Sequence, residues 1–389
     1  MVLPALALYV HVPWCVRKCP YCDFNSHGVG RRAELPEAEY LQALLADLDA
    51  DLPLAAGREL VSIFIGGGTP SLMSADFYRR LLEGIAARLT LAEAIEITLE
   101  ANPGTLERGR FAGYREAGIN RLSLGVQSFQ AAQLEALGRI HSGEDAEAAV
   151  REAREAGFDN LNLDLMHGLP GQTPALALQD LERGLALGPE HLSWYQLTLE
   201  PNTEFHRHPP CLPDEEILWD IQDLGHERLE AAGLARYEIS AYARPGRRSR
   251  HNLNYWRFGD YLGIGAGAHG KLSQPSANGG GLRIERRWKS RQPDAYLRRR
   301  HDPRGFVAGH RRVRAEELPL EFAMNALRLP EGVSIAAWDE TTGLPRRELA
   351  SRLAAAREKG LLVEDAERLQ ASPRGLLFLN ELLASISEG

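Results

Sequence analysis

Cys15, Cys19 and Cys22 stand at spacing C-x3-C-x2-C, and the chain has one further cysteine, Cys211. Three thiols within eight residues point to shared chemistry: a disulfide with one thiol left over, a zinc site, or an iron–sulfur site. A disulfide framework belongs to oxidising compartments, and nothing in this chain marks it for one. Structural zinc takes four protein ligands and draws its cysteines from C-x2-C pairs. A 4Fe-4S cluster also has four corners, so three cysteines leave one iron open to an external ligand. By cysteine count alone, a partial zinc site or scattered thiols stay open beside the cluster. Cys211, between Pro210 and Leu212 in a proline-rich stretch, reads as a loop thiol without a role.

The elements that must position these thiols alternate along the chain. Strand patterns cover Leu6–His11, Val61–Ile65, Ile95–Glu100, Arg121–Gly125, Asn160–Met166 and His191–Leu199. Helical patterns fall between them at Ala38–Leu52, Ala75–Leu89, Leu106–Ala117, Asp145–Ala156 and Ala175–Leu185. Short apolar strands separated by helices predict an α/β protein with a parallel sheet curled toward a barrel. Functional residues are then expected at the C-terminal ends of the strands. Polar or glycine-rich features do sit there: the cysteine loop, Gly66–Gly68 with Thr69, Glu100 with Asn102, Gln127, and Asp164 with the His167–Gln172 stretch. A single polar residue in a buried strand is usually a structural hydrogen bonder. Several at the same end of successive strands predict a ligand site. The triple glycine is at least a tight turn, and it also lets backbone approach a ligand closely.

Composition excludes several classes. The net charge of −8 opposes nucleic-acid binding by the whole molecule. No apolar run reaches the roughly 18 residues of a transmembrane helix. The apolar start, Val2 to Val12, lacks a basic flank and reads as a core strand instead of a signal peptide, which predicts a cytoplasmic protein. Residues 201–214 read as a linker, and His206 and His208 lack a third ligand for metal. Around Gly259–Gly270 the glycines lack the strand–helix context of a dinucleotide fingerprint and predict close backbone packing. Residues 281–314 hold 12 Lys or Arg against 3 Asp or Glu. That surplus is either a solvated face or a counter-charge for ligand carboxylates or an anionic membrane surface. Residues 313–389 pattern as helices Pro319–Arg328 and Arg346–Lys359, a short hairpin, and a final helix Gly375–Ile386. This resembles a winged helix, but 9 basic against 13 acidic residues argue for a packing or lid element in place of DNA binding.

The cysteine motif, with Tyr21 before its last cysteine and Gly66-Gly67-Gly68-Thr69-Pro70 after the next strand, resembles the radical S-adenosylmethionine (SAM) family. That resemblance implies a partial (β/α)6 radical SAM barrel with a C-terminal winged-helix-like domain, and a 4Fe-4S cluster on Cys15, Cys19 and Cys22. It further implies SAM contacts from Gly67, Gly68 and Thr69, from Glu100 to the ribose, and from Gln127, Arg139 and Asp164. Tyr9 and Tyr21 match positions beside the cluster and the adenine. The expected domains are 1–200 (barrel), 201–312 (barrel extension) and 313–389.

Over nearly its whole length the chain resembles the oxygen-independent coproporphyrinogen III oxidase-like group. The dehydrogenases of that group carry a further cysteine two residues after the third and an N-terminal extension. Here residue 24 is Phe24, and the chain starts close to its first strand. The HemW family of haem chaperones instead has Asp-Phe after the third cysteine and an H-N-x-x-Y-W motif, present as Cys22-Asp23-Phe24 and His251 to Trp256. This resemblance implies haem as a further ligand, with His251, Asn252, Tyr255 and Trp256 in its site and His251 as the iron ligand. Arg247, Arg248 or Arg250 are the expected cations for the propionates, and His269 is the second candidate ligand. The implied partners are acceptor haemoproteins, respiratory ones at the membrane surface among them; a homodimer is compatible, and nucleic acid is not expected. The alternative function is coproporphyrinogen III dehydrogenation by radical SAM chemistry.

Overall fold

A computed structural model describes residues 3–30, 34–104, 109–276 and 281–388. Six parallel strands carry the frame: β1 (Leu6–Val12), β2 (Leu60–Gly67), β3 (Leu91–Ala101), β4 (Arg121–Gln127), β5 (Leu161–His167) and β6 (His191–Gln196). They lie side by side in chain order. Helices α1 (Glu37–Ala55), α2 (Ala75–Ala86), α3 (Phe111–Glu116), α4 (Gly143–Glu155) and α5 (Pro174–Ala186) cross between them. Apart from the first half of β3 the strands are mostly buried, and their Leu, Ile and Val side chains share one core with the inner faces of the helices. The predicted (β/α)6 alternation is therefore present. The predicted helix Leu106–Ala117 survives as α3 alone, and its residues 106–108 lie outside the described residues.

Beyond β6 the sheet continues further than the sequence patterns suggested. Its order adds β7 (Ala235–Glu238) and β8 (Ala241–Ala243) outside β6. On the other edge β9 (Asp260–Ile264), β10 (His269–Pro275), β11 (Leu282–Lys289) and β12 (Val307–Arg312) extend from β1, giving twelve strands. Arg236–Ala241, which patterns in the sequence as a single strand, is in fact the turn and flanks of the β7–β8 pair. The glycine-rich stretch is a paired strand: β9 runs parallel to β1, from Leu6 opposite Asp260 to Val10 opposite Ile264. Gly263 and Gly265 are needed there, since a Cβ would lie 1.9 Å from the His269 carbonyl oxygen and 2.3 Å from that of His11.

Part of the basic surplus of residues 281–314 is met by acids outside that window. Lys289 Nζ is buried against Asp47 and Asp51 (2.5 and 2.6 Å), and Arg286 pairs with Glu321 at 2.6 Å. Arg311 reaches Glu317 and Glu321 at 2.8 and 3.0 Å. Arg286, Arg287, Lys289 and Arg311 therefore tie β11 and β12 to α1 and to the C-terminal part.

That C-terminal part has its own core, formed by α8 (Leu318–Ala326), α9 (Ala336–Thr342), α10 (Arg346–Glu358) and the final helix pair α11 (Pro373–Leu377) and α12 (Leu379–Glu388). The intervening α6 (Glu215–Ala231) packs on α5 and β7, and α7 (Arg250–Trp256) packs on β1, β2 and β9. Unpredicted here are α7, α9, the short strand Val333–Ser334 that pairs with Arg368–Leu369, and the break that divides the last helix. Trp338 of α9 is fully buried against Phe322, 5.4 Å between ring centroids, so this short helix is held by tertiary packing.

Candidate functional site

Strand β1 ends at Val12, and the chain turns through Pro13 and Trp14 into the cysteine loop. The loop closes on itself: His27 N donates to Pro13 O (2.7 Å) and Val29 N to Cys15 O (2.9 Å). Trp14 is buried edge-on against Tyr40 at 4.7 Å, which anchors the loop's first cysteine to α1. The turn after β2 is laced to the same place, with Gly68 N donating to Val12 O and Thr69 N to Trp14 O, both at 2.7 Å. Glycine is required twice in this turn. A Cβ at Gly67, whose φ is +121°, would lie 2.6 Å from the His11 ring, and one at Gly68 would lie 2.6 Å from Trp14 O.

All four cysteines are free thiols. Burial raises the pKa of Cys15 and Cys22; at Cys15 the side-chain hydrogen bond from Thr69 opposes it, and at Cys22 that from Ser26 does. Arg139 is not a surface residue. Its guanidinium donates to Asn102 Oδ1 (2.6 Å) and Gly125 O (2.7 Å), and Nη1 lies 3.7 Å from Cys19 Sγ.

The three cysteines border one cleft of about 520 Å³, together with Tyr21, Gly67, Gly68, Thr69, Glu100, Gln127, Arg139 and Asp164. Glu100 accepts from Gly67 N at 3.1 Å, and its pKa is raised to about 8 by burial and then by the charge of Asp164. Gln127 follows an irregularity in the β4–β5 pairing and holds a left-handed backbone, φ 70°. That conformation costs a non-glycine residue free energy and is typical of functional positions. Its side chain is held by Tyr195, whose O–H donates to Gln127 Oε1 at 2.7 Å. Asp164 ends a chain of donors that all point toward it. Tyr237 O–H donates to His191 Nε2 (2.8 Å), and His191 Nδ1–H to Asn162 Oδ1 (2.6 Å). Asn162 Nδ2 donates to Asp164 at 2.8 Å, and Ser123 Oγ donates to it at 3.0 Å. Burial nonetheless raises the Asp164 pKa.

A second pocket, also about 520 Å³, adjoins the cleft and shares Phe24, Asn252 and Trp256 with it. Its remaining wall is largely aromatic: Tyr9, Phe64, His251 and Tyr255, with His11, His269 and Arg291. Both pockets fall within the roughly 300–1,000 Å³ that hold cofactor-sized ligands. Tyr9 belongs here, apart from the cysteine cleft; its O–H donates to His11 Nδ1 at 2.9 Å. His251 stacks on Phe64 at 5.0 Å, and its Nδ1 meets Ser62 Oγ at 3.1 Å. Burial, then the charge of Arg121, lowers its pKa to about 3, so the imidazole is neutral at physiological pH. Among the described residues its Nε2 has no hydrogen-bond partner, whereas both nitrogens of His11 are engaged.

The segment bearing His251 is positioned by Glu96 of β3, whose buried carboxylate accepts from Arg250 N (3.0 Å) and His251 N (3.2 Å). Arg247, Arg248 and Arg250 do not border this pocket. Arg247 pairs with Asp159 (3.4 Å), Arg248 with Glu331 (2.7 Å), and Arg250 bonds the Ala94 carbonyl. Their proximity to His251 in sequence misled: Arg247 and Arg248 precede α7, and Arg250, next to His251 on it, projects about 100° away around the helix. The residues that sequence reasoning passed over as site members are Phe64, Asn25, Ser123, Ser193, Glu238 and Arg328. Only Ser123 and Ser193 carried a signal, as polar residues within apolar strands.

A model of the radical SAM superfamily matches residues 9–182, and one of the HemN C-terminal domain matches residues 313–378. A curated protein of Escherichia coli (strain K12) named heme chaperone HemW is 51% identical over 381 residues, 98% of each chain. The chain belongs to the HemW family. The HemW relative of Haemophilus influenzae is 49% identical over 385 residues, covering 98% of this chain and 97% of that one. In Bos taurus the relative is the mitochondrial radical S-adenosyl methionine domain-containing protein 1, 36% identical with 98% of this chain and 87% of that one covered. The solved coproporphyrinogen III oxidase HemN of Escherichia coli superposes with TM-score 0.81 at 22% identity, covering 99% of this chain and 90% of that one, so the two share a fold.

The radical SAM superfamily uses a 4Fe-4S cluster and SAM, and the residues present fit them. Three free thiols border one cleft, the backbone of Gly67–Thr69 faces it, and carboxylates at Glu100 and Asp164 accompany a pinned guanidinium at Arg139. Among the described residues no helix is long and apolar enough to cross a membrane.

Proposed function

We propose that this HemW-family chain binds haem in the aromatic pocket beside the cluster cleft and passes it to acceptor haemoproteins, as the name of its 51%-identical relative suggests. The observation that carries this reading is the junction of the two pockets. Asn252 and Trp256 of the H-N-x-x-Y-W segment form their common wall, and His251 offers the pocket a neutral imidazole, a common haem ligand. Cys15, Cys19 and Cys22 would hold the cluster. Gly67, Gly68 and Thr69 would meet SAM with backbone and hydroxyl, and Glu100, Gln127, Arg139 and Asp164 would orient it. Bound there, the pair supplies one-electron chemistry. Tyr195 holds Gln127 and Asn102 holds Arg139, so these side chains are preset for their ligand.

The reading extends to a cytoplasmic protein that meets its acceptor, respiratory haemoproteins at the membrane surface included, at the cleft mouth. Val16, Phe24 and Ile140 are 41%, 60% and 66% exposed there, and a second copy of the chain is the other occupant we assign to this rim. Sedimentation of cluster-loaded protein tests the dimer.

For the haem site, His251→Ala protein is reconstituted without oxygen and titrated with haem, with iron content and thermal stability read on the same sample. The expected result is a shifted or lost Soret band that added imidazole restores, with the cluster intact. An unchanged Soret band in folded protein would move the ligand to His269, which sits exposed at the pocket mouth. Dehydrogenation of coproporphyrinogen III is the competing reading. Phe24 stands where those enzymes have a further cysteine, so no protoporphyrinogen IX is expected with SAM and reductant; product forming in proportion to protein would restore that alternative.

A further inference from the structure

A ligand carrying carboxylates needs cations in reach; the aromatic pocket has the exposed Arg291 on its wall, and a second propionate needs another. The cleft is bordered by three arginines, Arg17, Arg139 and Arg328. Arg17 is on the exposed rim, and Arg139 is held by Asn102, Gly125 and Cys19 beside the cysteines, where the reading above assigns it to SAM. Arg328 differs from both. It follows α8 in the C-terminal part of the chain, and its guanidinium stacks over the Trp256 ring, 4.5 Å from the centroid. Among the described residues its side chain makes no hydrogen bond. Nε is buried without a partner, and the nearest carboxylate oxygen, Glu238 Oε2, is 3.7 Å from Nη2. The Trp256 indole Nε1–H beside it is likewise buried without an acceptor.

Buried donors without acceptors are rare, and each costs free energy unless an absent partner completes it. Here two adjacent donors, on side chains that both border the cleft, are unsatisfied together. A guanidinium presents a planar fork matched to a carboxylate. Glu238 forms an ion pair with Arg328 at 3.7 Å but no hydrogen bond; its other oxygen accepts from Ser240 N at 2.9 Å, and Arg328 Nε stays without an acceptor. An incoming carboxylate that satisfies Nε would meet the Nε–Nη2 edge, on the side where Glu238 already stands at 3.7 Å.

We propose that Arg328, with the Trp256 indole N–H, is a carboxylate anchor that binds a propionate of haem. Trp256 is shared by both pockets, so an anion held at this stack belongs to a ligand reaching across their junction. The inference rests on the haem reading above. It gives the C-terminal part of the chain a direct contact with the ligand.

The test uses the full chain with its cluster reconstituted. Arg328→Gln and Arg328→Lys proteins are titrated with haem, with haem dimethyl ester, whose propionates are blocked, and with SAM. Arg328→Gln is expected to weaken haem by about 10- to 100-fold, the loss of one charge-assisted pair. It should leave the ester and SAM unchanged, and Arg328→Lys should recover part of the affinity. Equal haem binding by Arg328→Gln and unaltered protein would overturn the anchor alone. Equal weakening of haem and ester would reduce Arg328 to packing, and selective loss of SAM would assign it to the methionyl carboxylate. An unaltered protein that binds SAM but no haem would overturn the functional reading itself, and the anchor with it.

Discussion

Gly68→Ala tests whether the glycine turn and the cysteine loop form one unit. The new Cβ would lie 2.6 Å from Trp14 O, 2.9 Å from Trp14 C and 3.0 Å from Pro13 C. A carbon and a carbonyl oxygen rest at about 3.3 Å or more, so the backbone must yield by roughly 0.7 Å. The atoms in the way are main chain, and Trp14 O already accepts from Thr69 N at 2.7 Å, so relief on one side breaks a hydrogen bond on the other. Overpacking of this kind costs about 1–3 kcal/mol. The displacement falls on the residue before Cys15, so the first thiol moves with it. The assay is anaerobic reconstitution with iron and sulfide counted per chain, SAM affinity by titration, and thermal melting of the unloaded protein. Expected are a lower Tm and SAM binding weakened about tenfold or more, the usual penalty for disturbing the support of a metal ligand. Gly28→Ala is the control, since its Cβ would meet nothing within 4 Å on the same loop. Wild-type iron, SAM affinity and Tm in Gly68→Ala would refute the reasoning.

Three further outcomes are expected. The raised pKa of Glu100, about 8, means that its neutral form is favoured in the folded, unliganded protein. The associated stability is full below its unfolded value near 4.5 and is lost as pH rises through 8, so Glu100→Gln should gain Tm over wild type progressively across that window. A Tm difference that stays flat with pH would count against this. His11, His141 and His226 are lowered to about 4, and His167 and His251 to about 3, in each case chiefly by burial. Unfolding should therefore take up several protons as pH falls from about 6.5, and a stability curve without slope between pH 6.5 and 4 would contradict it. Cys19→Ala should lose cluster iron and its absorption band, whereas Cys211→Ala, at an exposed thiol far from the cleft in sequence, should change neither; full iron retention in Cys19→Ala would remove the cluster assignment.

The alternation of strand and helix was legible up to residue 196 because each element there is local. Buried parallel strands read as apolar runs, and helices as periodic ones. The same logic failed at β9, where glycines required by close packing mimic a loop, and at α9, which owes its existence to Trp338 in a distant core. The basic stretch was counted correctly, but two of its partners, Asp47 and Asp51, lie more than 200 residues away from Lys289.

By itself, the amino-acid sequence determined the ligand chemistry. Thiol spacing, the glycine turn, and the order of polar residues at strand ends are set by neighbours within a few positions. The tertiary structure alone decided which side chains face each other: Arg139 against Cys19 across 120 residues, Glu96 holding the His251 segment across 155, and Arg328 laid on Trp256. It also separated Arg247, Arg248 and Arg250 from the pocket that their neighbour His251 enters. The reason is physical: a side chain's direction follows its own backbone, but its partner is set by which strands and helices the core packs side by side.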